Sequence, residues 1–113
     1  MATELDLNFD KGSYFSKTIR VLNESGSNYD LTSHSALMQI RETHDSPTVA
    51  LELSTVGGTL VINTINSTIE IKIPHNSDLI YSKYVYDLEI TNLSGVPIRV
   101  IQGVVNVSPE VTR

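Results

Sequence analysis

The chain of 113 residues contains no cysteine and no tryptophan. Without thiols it has no disulfide framework, no thiolate zinc site and no cysteine nucleophile. Its eight basic residues lie singly between Lys11 and Arg113, no two adjacent, in a chain of net charge −5. Phosphate backbones are held by clustered cations, so a nucleic-acid partner is not expected. No apolar run approaches transmembrane length. Residues 1–12 carry early acids and no long apolar stretch, so neither a signal peptide nor a membrane anchor is expected. Alanine is scarce and no window sustains a 3.6-residue apolar stripe, which argues against a helical protein.

What is present is valine, isoleucine, threonine and tyrosine, interrupted by turn residues every eight to twelve positions or so. That pattern predicts an all-β domain. A chain of this size buries roughly two-thirds of its unfolded surface, enough for one core. Residues 1–113 are read as a single β-sandwich domain, with 108–113 as a C-terminal tail.

Leu5, Leu7 and Phe9 alternate with acids and Asn8, giving a first strand. Residues 14–22 form a second, with Phe15, Ile19 and Val21 on one face; Lys17 breaks the alternation and marks an edge or rim. A dense turn cluster occupies residues 23–28. Ala36, Met38 and Ile40 set the next strand; Val49, Leu51 and Leu53 resume after a break at residues 43–47. Gly57-Gly58 then predicts a hairpin turn leading to Leu60, Val61 and Ile62. Ile69, Ile71 and Ile73 give the clearest strand, ended by Pro74. Residues 76–82 suggest one helical turn with Ser77 as its cap.

Tyr84, Tyr86, Leu88 and Ile90 share a face opposite Asp87 and Glu89. After a turn at residues 92–95, Ile98 and Val100 fit one register, while Val105 and Val107 fit the other. A β-bulge accounts for the slip, and Gln102-Gly103 is its expected place. About eight strands favour an immunoglobulin-like, two-sheet antiparallel β-sandwich; a small closed barrel is the other architecture.

No residue pattern points to chemistry. Asp87 and Glu89, two apart on a strand, have carboxylates roughly 6 to 7 Å apart, a spacing that overlaps inverting glycosidases. Alternating acids are also the ordinary wet face of a strand, the reading preferred here. His34, His44 and His75 form no metal-binding pattern. Gly57-Gly58 lacks the lysine of a phosphate-binding loop, and Asp6, Asp10 and Asp30 match no EF-hand. Four Asn-x-Ser/Thr triplets begin at Asn23, Asn66, Asn92 and Asn106, as polar turns generate by chance. Tyr84 and Tyr86 read as core aromatics whose hydroxyls need partners. No catalytic residue, cofactor or metal ligand is therefore assigned, and the protein is not expected to be an enzyme. The segment Val107, Ser108, Pro109, Glu110, Val111, Thr112, Arg113 either frays or adds along a neighbour's sheet edge. Val107, Pro109, Glu110, Val111 and Arg113 are its candidate assembly residues.

Several strings occur together in order: Lys11-Gly12-Ser13 before an aromatic, Tyr29-Asp30-Leu31-Thr32, Met38-Gln39-Ile40-Arg41, Tyr84-Val85-Tyr86-Asp87-Leu88-Glu89, and the ending from Gly103 through Val105, Val107 and Ser108 to Arg113. This set resembles a family of small proteins of tailed bacteriophages and prophages, over nearly the whole chain. It departs from that pattern at Ser33, where a glycine often follows Asp-Leu-Thr. The resemblance implies an immunoglobulin-like virion structural protein, similar in plan to the N-terminal modules of phage baseplate upper proteins. Its expected role is a tail, baseplate or neck connector used in multiple copies of a symmetric assembly, with other virion proteins as partners. Its expected location is the virion, assembled in the host cytoplasm. Capsid decoration is the alternative within that class. From a different class, a glycan or host receptor could be bound by Tyr29, His34 and His44; an intracellular regulator is a further alternative.

Overall fold

The computed structural model describes residues 3–10, 14–73 and 83–108. Nine strands make up the described residues: β1 (Thr3–Glu4), β2 (Leu7–Asp10), β3 (Phe15–Arg20), β4 (Ser35–Arg41), β5 (Leu51–Ser54), β6 (Leu60–Asn63), β7 (Thr68–Ile73), β8 (Lys83–Thr91) and β9 (Pro97–Ser108). One sheet runs β1-β9-β8-β4-β5, with β2 also on β9; the other runs β3-β7-β6. β3, β7 and β6 correspond to immunoglobulin strands B, E and D. β4, β8 and β9 correspond to C, F and G, with β5 as the added C′. The chain is thus an immunoglobulin-like β-sandwich, and the described residues form two separate sheets, not the closed barrel.

The core follows from side-chain alternation. Ile69, Ile71 and Ile73 of β7 face Met38, Ile40, Leu88 and Ile90 of the other sheet, all buried. Each is a full-sized apolar side chain whose burial contributes about 1.5–3 kcal/mol relative to exposure. The chain has neither the disulfide nor the tryptophan of antibody domains, and its core is aliphatic side chains and Met38 together with Phe9, Tyr84 and Tyr86.

Several expectations are altered. The first strand divides into β1 and β2, and both pair with β9 in parallel, the exception to antiparallel order. Gly57-Gly58 does not close a hairpin, because β5 and β6 belong to different sheets. Gly58 has φ +78°, so the glycine cue reported a left-handed backbone correctly. What it could not report is that the chain crosses the sandwich there. The bulge lies earlier than expected: Leu88 pairs with Ile101 and Glu89 with Arg99, leaving Val100 as the extra residue in β9. Ser108 pairs with Asp10, so strand pairing extends one residue into the expected tail. The helical turn at residues 76–82 and its cap Ser77 lie outside the described residues.

Lys17 behaves as its break in the pattern suggested. β3 has a neighbour only in β7 among the described residues, so it is an edge strand. Lys17 pairs with buried Ile71 in register, sharing the inward parity of Phe15 and Ile19, yet it is exposed. An inward-register charge is a known guard against edge-to-edge pairing. Lys17→Val is expected to raise aggregation on heating, read as increased light scattering; unchanged scattering would refute the guard role.

The turn after Leu31 places Ser33 at a position that favours glycine. His34 N–H donates to Leu31 C=O at 3.1 Å, and Ser33 sits at φ +61°. A turn of this kind wants glycine at its third position. Ser33→Gly should therefore relieve left-handed strain of about 1–2 kcal/mol, less the greater entropy glycine gives the unfolded chain. A small rise in the urea midpoint is the expected result.

Candidate assembly surface

The N-terminal strands are fastened to β9 by a cluster of polar contacts around one glycine. Leu5 N–H donates to Gln102 C=O at 2.9 Å. Asp6 Oδ1 accepts from Val104 N–H at 3.2 Å, and Asn106 donates to Asn8 Oδ1 at 3.1 Å. Between β1 and β2 the Leu5 carbonyl turns toward Gly103, so close that a Cβ there would lie 2.4 Å from the oxygen. The same carbonyl accepts a hydrogen bond from the Tyr86 hydroxyl. Tyr86, 3% exposed, faces Gly103 across the β8–β9 ladder. Glycine is needed at 103 because two backbones meet there, and the tyrosine hydroxyl finds the partner its burial demands.

Burial, with smaller contributions from the negative charges of Asp6 and Glu4, pushes the Tyr86 hydroxyl above its ordinary pKa of 10.0. The sign follows directly. Only the neutral phenol can donate to Leu5, so this contribution to stability is intact below about pH 10 and erodes as pH rises beyond it. Tyr86→Phe is expected to cost about 1–2 kcal/mol at neutral pH, by leaving the Leu5 carbonyl unsatisfied. It should also flatten the alkaline limb of stability against pH; an equal loss in wild type and variant above pH 10 would refute the assignment.

Where β1 rides on β9, the two sheets part. A groove of about 840 Å³ opens between the β1–β9 ribbon and the end of β3, lined by Leu5, Ile19, Val21, Tyr29, Ile98 and Val100 among others. Leu22 and Ile98 are 50% and 36% exposed at this seam. Ile98 pairs with buried Ile90 and Ile101 with buried Leu88, so the bulge at Val100 keeps both on the inward face, and Ile98 is left partly exposed where the sheets part. Along the adjoining β3 edge, alternate backbone N–H and C=O groups point away from β7 with no strand beside them among the described residues.

A second, more polar groove of about 430 Å³ crosses the outer face of β4, β8 and β9. Arg99 pairs with Asp87 at 3.4 Å and donates to Gln102 at 3.2 Å. Arg41 donates to Gln39 and to the Ser46 carbonyl, and Gln39 donates to Glu52. Asp87 and Glu89 both line this face, so the carboxylate pair belongs to a solvated polar network. Such exposed pairs contribute about 0–1 kcal/mol.

The remaining candidates are dispersed. Tyr29 and His34 meet edge to face, centroids 5.5 Å apart, with the hydroxyl 3.3 Å from Nε2. His44 lines the polar groove, whereas Tyr29 lines the apolar seam, so the three glycan candidates do not form one site. Asp30 caps Thr32 N–H at 2.9 Å; its carboxyl is lowered from the ordinary value by hydrogen bonding from Thr32. Among the described residues no group of three His, Asp or Glu side chains is placed to hold a metal ion. His75 lies outside the described residues. Asn23, Asn66 and Asn92 fall in turns, but Asn106 lies within β9.

Of the five assembly candidates, Val107 is 6% exposed and pairs with Phe9, so it belongs to the core and not to an accessible tail. The reason is parity: Val105 and Val107 share the face that covers Leu7 and Phe9. Pro109, Glu110, Val111 and Arg113 lie outside the described residues. The seam itself was not legible in the sequence. Ile98 and Val100 are read from sequence only as sharing one register, and no local pattern marks a gap built from separated segments.

No family model matches the chain, and no curated protein matches it. Among solved structures it is similar to extracellular domains 3–5 of Drosophila OTK, with 14% identity and a TM-score of 0.39. The match covers 90% of this chain and 32% of the other, so the chain spans about a third of that neighbour's length.

Proposed function

We propose that this protein is a non-enzymatic structural component of a tailed-phage virion, a tail, baseplate or neck connector present in several copies. The observation that carries the reading is the rim of the sandwich: an edge strand, β3, without a neighbour on one side among the described residues, beside an apolar groove. Free strand edges and apolar seams are how β modules join others, through main-chain hydrogen bonds and side-chain pockets. The setting is suggested by the ordered strings that resemble those of small phage proteins, and the sandwich serves as a rigid spacer between neighbours.

Mass spectrometry of purified virions of the phage that encodes the chain should find it at many copies per particle. Its absence from particles would overturn the proposal. Cryo-electron microscopy of those particles then separates a tail, baseplate or neck position from decoration of the capsid exterior. A specific hit on a glycan array, together with absence from the particle, would move the assignment to a receptor-binding module.

A further inference from the structure

We propose that the apolar seam is an acceptor site for residues 109–113 of a second copy of this chain, joining copies head to tail. The inference rests on the assembly reading above and adds its donor and acceptor.

The first argument is reach. The seam is built at the start of β9, from Ile98 to Ile101, whereas residues 109–113 follow Ser108 at the other end of that strand. Seven residues of strand from Ile101 to Ser108 span about 23 Å. Five residues fully extended span at most about 18 Å. A molecule therefore cannot fill its own seam with this segment. The described chain leaves β9 at Ser108, away from the seam at the strand's start, so a contact of this segment with the seam of a second copy is heterologous and propagates into a ring or a filament.

The second argument is complementarity. Pro109 has no N–H to give to a strand ladder, whereas the residues after it carry the donors and acceptors that strand addition uses. The seam is apolar at Ile19, Val21 and Ile98, and its charged lining residues are Arg20, Glu24 and Arg99, the last of which pairs with Asp87. Arg20 is exposed and makes no ion pair among the described residues. A segment laid parallel to the end of β3 sets Glu110 against Arg20, Val111 over the groove and Arg113 at the Glu24 end. The opposite direction puts Arg113 toward Arg20, a like-charge contact. At a net charge of −5, copies repel on average, so local charge pairing also fixes the register.

The test is sedimentation velocity on the full chain. The weight-average sedimentation coefficient should rise with concentration, and deleting residues 109–113 should abolish the rise. A chain that stays monomeric throughout, or a deletion that leaves the rise unchanged, overturns the proposal. A copy lacking residues 109–113 retains the acceptor; a copy carrying Leu22→Asp and Ile98→Asp retains the donor. Each alone should be monomeric, and their mixture should form a one-to-one pair that grows no further. Failure of the mixture to pair, with both variants giving wild-type circular dichroism, overturns it. Should the seam variant misfold, the charge swap decides: Arg20→Glu should weaken association at least tenfold and Glu110→Lys in the same chain should restore it, whereas no restoration refutes the register. Virion content is measured separately. A monomeric protein found in particles leaves the structural role standing, and a self-associating protein absent from particles leaves the seam standing.

Discussion

Replacing Phe9 by alanine is expected to remove about 3–5 kcal/mol of stability, the usual range for a buried phenylalanine. Phe9 is 1% exposed on β2, a strand of four residues held to β9 in parallel. Its ring meets Phe15 of the opposite sheet edge to face, centroids 6.1 Å apart. It therefore closes the sandwich at the pole away from the seam, where β2 and β3 share no ladder. Little around it can collapse, since Leu7, Val105 and Val107 are tied into the β2–β9 pairing. A domain of this size has about 5–15 kcal/mol in total, so the loss takes roughly a fifth or more of it. Urea unfolding measures the change; a midpoint shift worth under about 1 kcal/mol would mean that the N-terminal strand adds little to the fold.

Gly103→Ala is the second large effect, expected near the upper end of the ~1–3 kcal/mol typical of overpacking. The added methyl would lie 2.4 Å from the Leu5 oxygen and 2.9 Å from its carbonyl carbon. Both are backbone atoms, so no side-chain rotation relieves the clash. The β1–β2 junction must move, and the Tyr86–Leu5 hydrogen bond moves with it. Gly103→Ala and Tyr86→Phe should accordingly be sub-additive in a double-mutant cycle, because the first change already disrupts the contact that the second removes. Full additivity would show that the two residues act on the junction separately. By contrast, alanine at Gly26 or Gly95 meets nothing within 4 Å, so its cost comes only from the left-handed backbone at φ +90° and +82°.

The parts of the fold legible from sequence were those set by alternation alone. β7 and β8 read directly from Ile69, Ile71, Ile73 and from Tyr84, Tyr86, Leu88, Ile90, because each strand is buried on one face throughout. Lys17 was legible as an edge because a charge at an inward position tolerates no other place. The bulge was legible in kind but not in location. Val100 and Ile101 are adjacent and both apolar, so parity says only that one residue is inserted somewhere before Val105. Gly103 drew attention for a reason unrelated to the bulge, namely the approach of a carbonyl 98 residues earlier in the chain. Gly58 shows the same limit: φ is local and shows in the residue type, whereas the strand that follows it is chosen by the sandwich. The seam was the least legible, since it arises from what β1 does not pair with.

The parallel docking of the first strands on the last also governs how the chain comes to fold during synthesis. Leu7 waits for Val105 and Phe9 for Val107, so neither ring nor aliphatic group finds its berth until β9 has been made. At about 5–20 residues per second, that wait lasts several seconds or longer. Throughout it the leading segment trails as unsheltered apolar chain, and closure awaits a very distant contact, which slows the final step. A ribosome that stalls before residue 97 therefore holds a body without its last strand, in which both N-terminal strands lack the partner they pair with.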